Sequence, residues 1–137
     1  MNGGIRRSMA RILVADDEEP IRSLVARALR QESHDVTTAS DGAEALDALA
    51  PENGGLELLL TDIGMPVMDG IALALAAARD HPAVTILLMT GYADQREGAS
   101  GLDALIHGVI NKPFSLAAMR SAVDGALVAG AARSSVN

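Results

Sequence analysis

Four short apolar runs, widely spaced and each ending at an acidic, hydroxyl or basic residue, constrain this chain more than any other feature. Ile12-Leu13-Val14-Ala15 leads into Asp16-Asp17 and Leu58-Leu59-Leu60-Thr61 into Asp62, while Ile86-Leu87-Leu88-Met89 ends at Thr90 and Val109-Ile110-Asn111 at Lys112. Runs of this length bounded by turn residues read as strands buried on both faces of a parallel sheet. In open α/β sheets the functional crevice lies outside the carboxyl ends of the strands. The pattern therefore predicts that Asp16, Asp17, Asp62, Thr90 and Lys112 share one rim.

Helical signals fill the intervals. Pro20 suits the first turn of a helix, where its missing N–H would be unpaired anyway, and Ile21, Leu24, Val25, Ala28 and Leu29 then recur on one apolar face. Strands are expected at 11–15, 35–39, 56–62, 84–90 and 108–111. Asp41 and Glu44 have capping-box-like spacing before a second helix that Pro51 and Gly54-Gly55 end. An Ala-rich helix over 71–80 stops before Pro82, and Ser115 caps a last one whose Leu116, Met119, Val123 and Leu127 point one way. Between them, 91–104 carries weak helical signals interrupted by Gly98 and Gly101. Alternating strands and helices predict an α/β fold, a five-stranded parallel sheet with helices on both faces.

The expected organisation is a flexible arm over residues 1–9, one domain over 10–130 and a short tail over 131–137, without repeat, linker or output module. A length of 137 residues suits one domain able to bury ~68% of its unfolded surface. The formal net charge of −7 disfavours nucleic acid, and the arm's Arg6-Arg7 with Arg11 is too short to reverse that. Tyr92 and Phe114 are the only aromatics, which leaves no base-stacking platform. The absence of cysteine rules out disulfides and thiol chemistry. No segment reads as a signal peptide or membrane span, so a cytoplasmic protein with no membrane partner is expected. The histidines at 34, 81 and 107 lack metal-ligand spacing.

A carboxylate can accept a phosphoryl group as an aspartyl phosphate when held near a metal. Asp16, Asp17 and Asp62 brought together repel one another, and a divalent cation relieves that. Mg²⁺ is the natural choice, since it takes one or two carboxylates together with waters and phosphate oxygens. Lys112 can then neutralise phosphoryl charge while the Thr90 hydroxyl donates to a phosphoryl oxygen. Taken singly, each residue has a plainer role: the acidic pair could cap the first helix, Thr90 could be a β-former and Lys112 a surface charge. Their joint position at strand ends carries the argument.

The stretches ILVADDEEP, LLLTDIGMPVMDG, LLMTGY and INKPF together resemble the receiver domain of bacterial two-component response regulators, over roughly residues 10–128. The resemblance implies a CheY-like (βα)5 flavodoxin-like fold with strand order 2-1-3-4-5. It implies that Asp62 is the phosphoacceptor for a sensor histidine kinase or histidine phosphotransfer protein. Asp17 and Asp62 would ligate Mg²⁺ directly, with the backbone carbonyl of Gly64, while Asp16 acts through water or as a weaker partner. Thr90 and Lys112 would hold the phosphoryl group, and the Lys112-Pro113 bond would be cis. Such a chain is not an enzyme on another substrate; it promotes its own phosphotransfer and slow autodephosphorylation. Its output would run to a downstream protein through the fourth helix, fifth strand and fifth helix.

One position departs from the pattern. Many receivers carry an aromatic three residues before the lysine, where this chain has Val109; Tyr92, two residues after Thr90, either takes over part of that role or only shades the pocket and slows hydrolysis. GYADQRE followed by LDALIHGVINKPF also resembles short alphaproteobacterial receivers of the CpdR type, adaptors that feed substrates to an AAA+ protease when unphosphorylated. A phosphate sink is a second output. An aspartyl-phosphate hydrolase wants an acidic residue two positions after its nucleophile, where Gly64 stands, and a pseudo-receiver would not need the intact acidic set.

Overall fold

Strand and helix alternate along the chain as the apolar pattern requires. The computed structural model describes residues 10–51, 55–91 and 93–135. Its elements are β1 (Arg11–Ala15), α1 (Glu19–Gln31), β2 (Asp35–Ala39), α2 (Gly42–Ala48), β3 (Leu58–Asp62), α3 (Gly70–Asp80), β4 (Thr85–Thr90), α4 (Ala93–Gly98), β5 (Gly108–Asn111) and α5 (Leu116–Ser135). A 3-10 turn at Ser100–Leu102 follows α4. The strands form one parallel sheet in the order β2-β1-β3-β4-β5, the flavodoxin-like arrangement expected. Residues 1–9 with Arg6-Arg7, Gly54, Tyr92 and residues 136–137 lie outside the described set.

Register fixes where the strands end. Ala15 pairs with Ala39 and Thr61, Asp62 with Met89, and Thr90 with Asn111. The carboxyl ends of β1, β3, β4 and β5 are therefore nearly level, and whatever follows them meets at one rim.

Strand side chains alternate between two cores, because successive residues point to opposite faces. Ile12, Val14, Leu58, Leu60, Leu87 and Met89 pack with α1 and α5. Leu13, Leu59, Ile86 and Leu88 pack with α2, α3, Ala99 and Leu102 on the other face. Leu58, Leu59 and Leu60 are each fully buried, worth on the order of 2 kcal/mol apiece. Continuous apolar runs with helices on both sides are the expected consequence.

Local signals place the helix starts. Pro20 occupies the first turn of α1. The Asp41, Asp69 and Ser115 side chains accept from the amides of Glu44, Ala72 and Ala118 at 2.8, 2.9 and 3.0 Å. Several expectations are corrected. Leu24, assigned to the apolar face of α1, is half-exposed, and Ala26 is buried instead. The strands β3 and β4 begin at Leu58 and Thr85 rather than at 56 and 84. The weak helix over 91–104 is two short pieces. Residues 131–135, expected as tail, continue α5, where Arg133 donates to Thr85 Oγ1 at 3.1 Å.

Candidate functional site

The loop after β1 brings in two carboxylates of different character. Asp16 is fully buried and Asp17 exposed. Asp16 is gripped from several sides: its amide donates to the Ala39 carbonyl at 3.1 Å, its Oδ1 accepts from the Glu18 amide at 2.9 Å, and its carbonyl accepts from Arg22 at 2.8 Å. Asp62 ends β3 beneath the Gly64–Asp69 loop, and that loop is folded tightly back. The Gly70 amide donates to the Ile63 carbonyl at 2.8 Å, and a Cβ at Gly70 would collide with the Asp62 carbonyl. Any side chain at 70 would displace Asp62 itself.

Lys112, just past β5, joins the acids. Its ammonium lies 2.9 Å from Asp16 Oδ2, 3.1 Å from Asp62 Oδ1 and 3.5 Å from Glu18 Oε1. The Lys112-Pro113 bond is cis, as expected. Burial works against the ammonium, but hydrogen bonds to Asp16 and Asp62 outweigh it and hold its pKa above the ordinary value. Burial pushes Asp62 the other way for an acid, up to about 6, with Asp16 and Asp17 adding to the rise and Lys112 opposing it.

Carboxylate oxygens of Asp16, Asp17 and Asp62 lie within 4.8 Å of one another. Lys112 meets Asp16 and Asp62 but leaves the exposed Asp17 uncompensated, and burial still disfavours the charged form of Asp62, so a cation among the three would relieve their repulsion. This donor set, all hard oxygen, fits Mg²⁺ better than a softer metal. Gly64, whose carbonyl belongs to the expected set, is exposed two residues beyond Asp62 and faces Gln95. Thr90 ends β4 two strands from Asp16, and its hydroxyl donates to Gln95 Oε1 at 2.9 Å. All six expected site residues thus fall on the rim at the carboxyl ends of β1, β3, β4 and β5.

Three further residues were not foreseen: Glu18 beside the ammonium, Arg22 on the Asp16 carbonyl, and Gln95 on Thr90. Glu18 and Arg22 could have been suspected from their place next to the acidic pair; nothing in the weak pattern of 91–104 marks Gln95. Val109 packs half-buried against the core that holds Ala99 and Leu102, with no aromatic at its position. Glu32, His34 and Asp124 also approach one another, which histidine spacing did not suggest, but the Arg120 guanidinium already stands 3.8 Å from Glu32.

Residues 12–124 match the response regulator receiver domain family. The chain is 36% identical over 121 residues to the response regulator receiver protein CpdR of Brucella abortus, covering 88% of this chain and 99% of that protein. A CheY-like receiver domain structure from Methanospirillum hungatei superimposes with a TM-score of 0.83 at 28% identity, covering 92% of this chain and 99% of that one. The response regulator TrrA of Thermotoga maritima, solved in complex with Mg²⁺ and BeF, gives a TM-score of 0.76 at 30% identity over 87% of this chain and all of its own.

Proposed function

The chain belongs to the response regulator receiver domain family of two-component signalling, and from that premise we propose that Asp62 is its phosphoacceptor, working with Mg²⁺. The observation that carries this reading is the Lys112 ammonium bridging Asp16 and Asp62 at 2.9 and 3.1 Å, inside a cluster of carboxylates on one rim. Receiver domains accept phosphate from histidine kinases and act on downstream targets. Here the donor would be a phosphohistidine on a kinase or phosphotransfer protein.

An Asp62 oxygen forms a bond to phosphorus as the donor's P–N bond breaks, and the imidazole leaves with that electron pair. Asp17, Asp62 and the Gly64 carbonyl would hold Mg²⁺, with Asp16 in a supporting place; the ion, when bound, offsets charge on the phosphoryl oxygens and the carboxylates. Lys112 stays on Asp16 and turns its remaining donors to the phosphoryl group. Thr90 donates a hydrogen bond from its hydroxyl to another phosphoryl oxygen. Little besides positioning and charge is needed for such a transfer.

The output is a protein contact through α4, β5 and α5, of the protease-adaptor kind. The apolar side chains of Leu105, just before β5, and Val128 on α5 are 44% and 56% exposed and available to a partner. The adaptor reading rests on the resemblance of GYADQRE and LDALIHGVINKPF to CpdR-type receivers, a type to which the 36% identical Brucella protein belongs by name.

The test is incubation with acetyl phosphate and Mg²⁺ followed by intact mass. Wild type should gain one phosphoryl group and Asp62→Asn none; an equal gain in both rejects Asp62. A pull-down with and without beryllofluoride then separates the outputs, since a sink shows no state-dependent partner beyond its phosphodonor.

A further inference from the structure

The Thr90 hydroxyl is already occupied. It donates to Gln95 Oε1 at 2.9 Å, and the Gly91 amide donates to the same oxygen at 3.3 Å. A backbone N–H can only donate, so the shared atom is the carbonyl oxygen of the Gln95 side chain and Thr90 is its donor. The other end of that amide reaches across the mouth of the site. A Cβ built on Gly64 would stand 2.5 Å from Gln95 Nε2. Gln95 therefore spans the rim from the β4 end to the loop after β3, where a side chain at 64 would push its amide aside.

A threonine hydroxyl has one proton to give. Phosphoryl oxygens are acceptors only, so Thr90 cannot donate to a phosphoryl group and to Gln95 at once. We propose that Gln95 is a latch: a positioning residue that holds Thr90 in the unphosphorylated arrangement and fastens the start of α4 to the site until phosphorylation takes the hydroxyl away. This rests on the phosphoacceptor reading of Asp62 and adds to it the element through which the change leaves the site. Val109 lacks the ring that could follow Thr90 inward, whereas the Gln95 amide is in direct contact with the moving group. Farther along, Ala99 and Leu102 are buried in the core. Loss of the Thr90 bond thus frees the beginning of α4 while its end stays anchored, a hinged motion rather than detachment.

The test compares wild type with Gln95→Met, which keeps length but removes the acceptor, and with Gln95→Glu, which keeps an acceptor and strengthens it. Beryllofluoride with Mg²⁺ is titrated by calorimetry, and amide spectra are recorded without and with it. Gln95→Met should bind beryllofluoride about fivefold more tightly, the equivalent of one neutral hydrogen bond of about 1 kcal/mol. Its unliganded Gly91 amide signal should also move toward the liganded wild-type position. Gln95→Glu should bind more weakly than wild type. A residue that merely stabilised α4 would shift the unfolding temperature and leave these affinities alone. Equal affinity of wild type and Gln95→Met, with an unmoved Gly91 signal, overturns the latch and leaves the phosphoacceptor reading standing. A wild-type protein that takes up no beryllofluoride overturns both.

Discussion

Lys112 is where three strands meet chemically, since its ammonium binds Asp16 beyond β1 and Asp62 at the end of β3 from its own place beyond β5. Asp16 is fully buried, so without that ammonium its carboxylate would keep, among the described residues, the Glu18 amide on one oxygen. Removing one partner of a buried ion pair costs more than the pair itself contributes, because a desolvated charge is left behind. Lys112→Met, which retains the apolar stem, should lower stability by about 3 kcal/mol, toward the small end for such pairs because the lysine is partly exposed. In urea unfolding at pH 7, adding Asp16→Asn should restore part of that loss, and strictly additive losses would refute the coupling. A second residue stores strain on the same rim. Val67 adopts φ 70 with its side chain 81% exposed. A β-branched residue is costly in that region, and no burial offsets it. Val67→Asn should stabilise the fold by roughly 1 kcal/mol in the same assay.

Among the elements, α4 is the weak one. It spans Ala93–Gly98, ends at a glycine and passes into a 3-10 turn containing Gly101. An isolated turn or two of helix has little stability without tertiary packing. Native-state amide exchange should be at least tenfold faster in α4 than in the interiors of α1 and α5, an order-of-magnitude expectation from local opening. Equal protection in all three would refute it. The same weakness explains what could be read in advance. Strands were legible because runs such as Leu58-Leu59-Leu60 admit little else, and their level ends delivered Asp16, Asp62, Thr90 and Lys112 to one rim. Gln95 was not, because a polar helix without apolar periodicity gives no hint of which face turns inward. The last turns of α5 escaped for a related reason. They are Ala-rich and interrupted by Gly130, which reads as a stop, yet that glycine lies closely against Thr85, whose hydroxyl also accepts from Arg133.

At the scale of the whole molecule, the rim works against the fold. Asp62 ionises in the unfolded chain near the model-peptide value of 3.8, but burial raises it to about 6 in the folded protein. Between those values the folded state binds more protons than the unfolded one. The contribution of Asp62 to stability therefore falls as pH rises from about 4 to about 6, and its loss is complete above that window. At about 1.4 kcal/mol per unit the shift caps this loss at about 3 kcal/mol, and solvent at the open rim reduces it. Asp62→Asn has no such proton to release. In EDTA it should be more stable than wild type at pH 7.5 by up to that amount, with the advantage vanishing near pH 4. Urea titrations across that range check this, and parallel profiles for the two proteins would refute it. Mg²⁺ at pH 7.5 should stabilise wild type by mass action more than the variant, because only wild type offers the Asp62 carboxylate as a ligand. A cation that stabilised both equally would be acting elsewhere. The level strand ends, made stable by two apolar cores, are what allow a cluster of like charges to persist where chemistry, and not stability, requires it.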